Sequence, residues 1–217
     1  MNATPLPHDV LLFDLDGTLS DPLEGIGRSL NHALAHFGYP TRPLAELARY
    51  IGPPLDVGFR ELTGSNSAAH IDELVVRYRE RYGDIGYAEN TLYAGIPEML
   101  ASLRACGYRM GVCTSKRADF AEKILALFGL REHFDFVSGG EIGTPKWQQL
   151  GALCTNGLAS TRSLMVGDRA FDMIAAHRNK LTAAGVLWGF GDQDELQAEN
   201  PRHLFTQPAQ ISAALQG

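Results

Sequence analysis

The run Val10-Leu11-Leu12-Phe13-Asp14-Leu15-Asp16-Gly17-Thr18-Leu19 constrains this chain most, because four apolar residues lead into two carboxylates two positions apart and then a glycine. A short apolar run without alternation suits a strand covered on both faces, as in a parallel sheet. In an extended chain residues i and i+2 project to the same side, so Asp14 and Asp16 can converge on one ligand where the strand gives way to the Gly17 turn. One carboxylate can hold a hard cation while attacking an electrophile, and the other can carry a proton. That division of labour suits phosphoryl transfer. An Asp-Gly turn after a strand accounts for the same residues without chemistry, so the rest of the chain decides between the two.

Three further segments favour the chemical reading. Arg109-Met110-Gly111-Val112-Cys113-Thr114-Ser115 is a second apolar strand ending in hydroxyls, and Gly143-Thr144-Pro145-Lys146 places a lone lysine after a third. Ser163-Leu164-Met165-Val166-Gly167-Asp168-Arg169-Ala170-Phe171-Asp172 is a fourth strand ending in Gly-Asp, with another aspartate four residues on. With these motifs in this order, the chain resembles the haloacid dehalogenase (HAD) superfamily of aspartate-nucleophile phosphatases from about Val10 to Phe190.

The resemblance implies that Asp14 ligates Mg2+ with one oxygen and attacks phosphorus with the other. The backbone carbonyl of Asp16 and the carboxylate of Asp168 would complete the protein's share of the metal ligands. The Asp16 side chain would protonate the leaving alkoxide and later deprotonate the hydrolytic water. Because the dehalogenase branch lacks an aspartate at this position, Asp16 argues for hydrolysis of phosphate esters over C–Cl cleavage. Thr114 and the backbone around Ser115 and Gly17 would bind the phosphoryl oxygens, and Lys146 would set a positive charge against the nucleophile. The commoner family pattern has lysine followed by proline, whereas here Pro145 precedes Lys146 and Trp147 follows it. Lys116 and Arg117 are rival cations, yet following the strand end they read as a surface pair opening a helix. Asp172, one helical turn beyond Asp168, is expected to orient Lys146 or a metal-bound water from outside the ligand set.

Between the first two motifs the periodicity changes from strand to helix. Ile26, Leu30, Leu34 and Phe37 recur at three- and four-residue spacing before Gly38; Leu55, Phe59 and Leu62 do so before Gly64; Ile71, Leu74, Val75, Tyr78 and Tyr82 do so before Gly83. These stripes predict a small helical bundle. From Gly95 onward, helix signals near 95–106, 117–128, 146–154 and 170–179 alternate with strand signals near 108–113, 134–137, 163–167, 183–187 and 203–205. Such alternation predicts an α/β fold, a Rossmann-like parallel sheet core covered by helices on both faces, with ligands at the carboxyl ends of the strands. Residues 1–20 and 91–217 are expected to form this core and residues 21–90 an inserted α-helical cap, with hinges near Asp21 and Asn90. In the superfamily such a cap closes over the site.

Substrate choice would then rest on the cap, where Arg42, Arg49 and Tyr50 are the polar candidates for binding. An arginine there suits a substrate carboxylate, so the first expectation is a phosphatase for phosphoglycolate or a similar small phosphoacid. The loop Arg49-Tyr50-Ile51-Gly52-Pro53-Pro54-Leu55 also looks like those of bacterial 5′-nucleotidases, and Tyr50, Phe59 and Tyr87 offer surfaces for stacking a base. A nucleoside monophosphate is the alternative substrate. A catalytically silent binding protein on the same scaffold is the remote one, since such proteins usually lose the nucleophile or metal aspartate.

Composition bounds the partners. With 217 residues, 45% hydrophobic and 20% charged, the chain can bury a sizeable core, and its formal net charge of −6 disfavours nucleic-acid polymers and membrane surfaces. The partner expected is a small phosphomonoester, with the protein itself a monomer or homodimer. Cys106, Cys113 and Cys154 form no C-x-x-C pair, and Met1 to Asp9 lacks the basic start and apolar run of a signal peptide. A cytoplasmic protein is expected.

Overall fold

The computed structural model describes residues 6–215, so the first five residues of the Met1–Asp9 segment lie outside the described residues. Six parallel strands form the central sheet in the order β5-β4-β1-β6-β7-β8: β1 Val10–Phe13, β4 Arg109–Cys113, β5 Phe136–Ser138, β6 Leu164–Gly167, β7 Thr182–Val186 and β8 His203–Phe205. Strand alternation divides β1 between two apolar layers. Leu11 and Phe13 join Met110, Val112 and Val166 on one face, under α5 Ile96–Ala105, α6 Ala118–Leu127 and α10 Ala209–Leu215. Val10 and Leu12 join Met165 on the other, under α7 Lys146–Thr155, α8 Ala170–Arg178 and α9 Gln193–Ala198. All four residues of β1 are buried, as an uninterrupted apolar strand requires.

Residues 22–90 contain four α-helices, α1 Leu23–His36, α2 Leu44–Leu47, α3 Leu55–Thr63 and α4 Ala68–Asp84. Their stripes meet in a third apolar cluster that includes Ile26, Leu30, Leu34, Phe59, Tyr78 and Tyr82. α4 runs through Gly83, where the pattern predicted a stop, and Asp84 ends it. Two-residue strands β2 Ser20–Asp21 and β3 Thr91–Leu92 pair antiparallel at the two crossings between sheet and helices. They are too short to carry a sequence period.

Sheet order places the chemistry. The chain passes from β1 to β4 and β5 on one side and returns to β6 on the other, so the carboxyl end of β1 faces a crevice at a topological switch point.

Candidate active site

Each motif ends on the same rim. The backbone N–H of Asp14 donates to Val166 O at 2.9 Å, extending the β1–β6 ladder by one residue, and the N–H of Thr114 donates to Ser138 O at 3.0 Å. Gln149 from α7 donates to Thr114 O, Ser138 O and Ser138 Oγ at 2.9–3.1 Å, clasping the ends of β4 and β5. After Asp14 the chain reverses tightly: the N–H groups of Leu19 and Ser20 both point to Leu15 O. Gly17, at φ +83°, makes the reversal possible, because a Cβ there would stand 2.1 Å from Asp168 Oδ2.

Asp14, Asp168 and Asp172 are buried, and one oxygen of each lies within 4.8 Å of one oxygen of the others. Lys146 Nζ is 3.0 Å from Asp14 Oδ1 and donates to Asp172 Oδ1 at 2.5 Å. Leu15 N–H also donates to Asp14 Oδ1, at 2.8 Å, so neither restraint engages Oδ2. Asp168 accepts from Thr18 Oγ1 at 3.1 Å and from Phe190 N–H at 2.9 Å. The other oxygen of Asp172 accepts from Arg169 N–H at 3.1 Å. Placing Lys146 as the first residue of α7, right after Pro145, brings its ammonium into the carboxylates despite the unusual order of proline and lysine.

One lysine cannot neutralise three carboxylates in a dry site. Burial opposes the charge on Lys146, yet Asp14 and Asp172 more than offset this and raise its pKa. Burial pushes Asp168 well above the ordinary carboxylate range, with Asp172 and Asp14 adding to the rise. Burial raises Asp172 too, although Lys146 pulls the other way. The surplus of negative charge and the all-oxygen donor set fit a hard divalent cation.

Lys116 corrects the sequence reading. Its side chain is only 5% exposed; Nζ lies 2.8 Å from Asp16 Oδ2 and donates to Tyr82 OH at 2.6 Å. Arg117 does face solvent and pairs with Asp119. Asp16 keeps Oδ1 buried with no hydrogen-bond partner among the described residues, and burial raises its pKa, opposed mainly by Lys116. Such a carboxyl is suited to exchange a proton with a group entering the site. Cys113 is buried and its thiol is pushed up to about 12, which makes it a neutral core residue.

Above the carboxylates a cavity of about 340 Å3 opens between sheet and helices, lined by Asp14, Asp16, Thr114, Ser115, Lys116 and Lys146 below and by Tyr50, Pro53, Leu55, Tyr78, Arg79 and Tyr82 above. Ile142, Trp147 and Phe171 add apolar wall. Arg42 and Arg49 do not line it. They stand exposed around a separate hollow on the outer side of α2 and α3, and Arg49 pairs with Glu61 at 3.4 Å. Phe59 and Tyr87 are taken up in packing, leaving Tyr50 as the expected aromatic that reaches the cavity. Arg79, Thr18 and Tyr82 were not singled out as site residues by sequence. Nothing in a helical stripe distinguishes Tyr82 from a plain core residue.

A buried aspartate cluster with one lysine, at the switch point of a parallel sheet, suits an enzyme of phosphoryl transfer, and its acidic triad could hold a metal ion. Residues 11–186 match the model of the haloacid dehalogenase-like hydrolases, and the chain belongs to that family. A 5′-nucleotidase from Pseudomonas aeruginosa is 40% identical over 220 residues, covering all of this chain and 99% of that protein. The tyrosine-protein kinase PtkA of Mycobacterium tuberculosis is 38% identical over 191 residues, covering 85% of this chain and 64% of that protein. The crystal structure of a predicted phosphatase from Clostridium acetobutylicum superposes with a TM-score of 0.91 at 30% identity, covering 96% of this chain and 98% of that one. The protein is a phosphoric monoester hydrolase. Among the described residues no helix is long and apolar enough to cross a membrane.

Proposed function

We propose that this hydrolase is Mg2+-dependent, forms an aspartyl-phosphate on Asp14 and takes nucleoside 5′-monophosphates, with residues 21–90 acting as the cap that closes over them. The observation that carries the substrate reading is the cavity: its volume is at the small end of ligand pockets, about 300–1,000 Å3, and its upper wall is aromatic and apolar. A base and ribose would fill that wall. A phosphoacid of a few heavy atoms would leave it bare, and the arginines expected to read its carboxylate lie elsewhere.

Asp14, the backbone carbonyl of Asp16 and Asp168 would hold the metal, with Asp172 and Lys146 orienting them. The ion supplies charge neutralisation for the phosphoryl oxygens. Asp14 Oδ2 attacks phosphorus while Lys146 fixes Oδ1, and the bond from phosphorus to the ester oxygen breaks. Asp16 gives its proton to that oxygen, and Lys116 then stabilises the carboxylate it leaves behind. In the second step Asp16 takes a proton from water as the water's oxygen attacks the phosphorus, and Asp14 departs as a carboxylate. Thr114 and Ser115 hold the phosphoryl oxygens throughout. The described cysteines are all free, which fits a cytoplasmic setting.

The test is a steady-state panel of nucleoside monophosphates, phosphoglycolate and an aryl phosphate, with and without Mg2+. Nucleoside monophosphates should exceed phosphoglycolate in kcat/KM by about tenfold or more. The reverse order would return the substrate to the small phosphoacids.

A further inference from the structure

The geometry points to Arg169 as a positioning residue: we propose that its side chain fixes the 51–54 loop of the cap over the carboxylates, so one residue sets cap position and acid geometry together. The inference rests on residues 21–90 working as a cap, and it holds for any substrate that reaches that loop.

Arg169 follows Asp168 directly and works in two directions. Its backbone N–H donates to Asp172 Oδ2 at 3.1 Å, which restrains the aspartate that holds Lys146. Its side chain turns towards the insert, where Nη1 donates to Ile51 O at 2.5 Å. Nε donates to Glu195 Oε1 at 2.9 Å, and that same oxygen accepts from Ala170 N–H at 2.8 Å, so the guanidinium is anchored to the core before it reaches across. With the arginine side chain 14% exposed, these charge-assisted bonds are shielded from competing water.

The loop is shaped to receive it. Gly52 sits at φ +101°, and a Cβ there would approach Arg169 Cγ to 3.2 Å, so the stem of the arginine lies along the loop backbone. The following residues, Pro53, Pro54 and Leu55, line the cavity. Among the described residues two side-chain hydrogen bonds join the insert to the core, Lys116 to Tyr82 and Arg169 to Ile51. The first ties α4 and is made by a residue beside Asp16. Only the second ties the loop that forms the mouth.

The experiment compares Arg169→Ala, Arg169→Lys and Glu195→Gln with the parent chain by amide hydrogen exchange of residues 47–57, measured without substrate, and by kinetics on a nucleoside monophosphate and on acetyl phosphate. Acetyl phosphate is too short to reach the loop. Arg169→Ala should speed exchange in the loop by about tenfold or more while β4 and β6 keep their protection. It should raise KM for the nucleotide far more than for acetyl phosphate, and Arg169→Lys should recover part of both effects. Glu195→Gln leaves the arginine in place but takes the charge from its anchor, and should loosen the loop to a smaller extent; it decides the matter if Arg169→Ala fails to fold. Unchanged loop exchange in the folded variants overturns the proposal, as does parallel loss on both substrates. Should no nucleotide be hydrolysed by the parent chain, loop exchange by itself still upholds or overturns the role of Arg169.

Discussion

At the carboxyl end of the sheet Asp14, Asp168 and Asp172 are almost fully buried and their contacts leave little freedom, whereas 71% of the Arg49 side chain on the insert is exposed to solvent. The contrast has a physical origin. Core groups follow strand ends, where ladder hydrogen bonds fix the backbone and low dielectric makes each ion pair strong. Arg49 and its neighbours Arg42 and Glu61 lie around a hollow on the insert's surface and face water, where ion pairs are worth little. The buried carboxylates all belong to the sheet's rim, and only a few insert residues turn inward to line the cavity above them, such as Arg79 and Tyr82.

The largest effect should come from the rigid region. Asp14→Asn is expected to lower kcat by about a thousandfold or more while circular dichroism shows an unchanged fold; activity within tenfold of the parent chain would remove Asp14 from the nucleophile role. Arg79 tests whether the insert also contributes. It lines the cavity with no ion pair or hydrogen bond among the described residues, and burial followed by the nearby Arg117 lowers its pKa. Arg79→Ala should reduce kcat/KM for a nucleoside monophosphate by the equivalent of about 1.5–3 kcal/mol, the worth of a hydrogen bond to a charged group. An unchanged value would leave recognition to the aromatic wall.

A third change probes the insert's own stability. Glu89 accepts from Arg81 Nη1 and Nη2 at 2.8 and 3.0 Å and from Arg28 at 2.8 Å, and the Arg81 bond above all lowers its pKa below the ordinary 4.5. A depressed carboxylate stabilises the fold fully above its unfolded pKa, and that contribution is lost as pH falls through the lower folded value. Glu89→Gln should therefore cost about 1–2 kcal/mol at pH 7 and much less at pH 3, read by urea unfolding. An equal cost at both pH values would show that packing, not charge, is what Glu89 contributes. The smallest effect belongs to Arg49→Ala, expected within about 0.5 kcal/mol in stability and about twofold in kcat/KM. A tenfold kinetic loss would bring Arg49 back to the substrate and erase the contrast between the two regions.

Much of the sheet was legible because its signals are local. Apolar runs ending in Asp-x-Asp-Gly, Thr-Ser and Gly-Asp announce strands whose ends carry chemistry, and the helical stripes of the insert follow from 3.6-residue spacing. Within the carboxyl-end cluster, Asp14, Asp168, Asp172 and Lys146 meet where these strand ends and the start of α7 predicted. The β2–β3 pair escaped notice because two residues cannot display a period.

What the sequence determined alone was the kind of fold and the identity of the groups at the strand ends, since periodicity and turn residues act over a few positions. Tertiary structure alone decided which way neighbouring cations point. Lys116 and Arg117 are adjacent and equally basic, yet one is drawn beneath Tyr82 to Asp16 while the other pairs with Asp119 in solvent. Arg49 and Arg79 both belong to the insert, yet only the second lines the cavity. A long side chain chooses among partners that the fold brings from far along the chain, and the free energy of that choice lies in desolvation and distance, which no local pattern records.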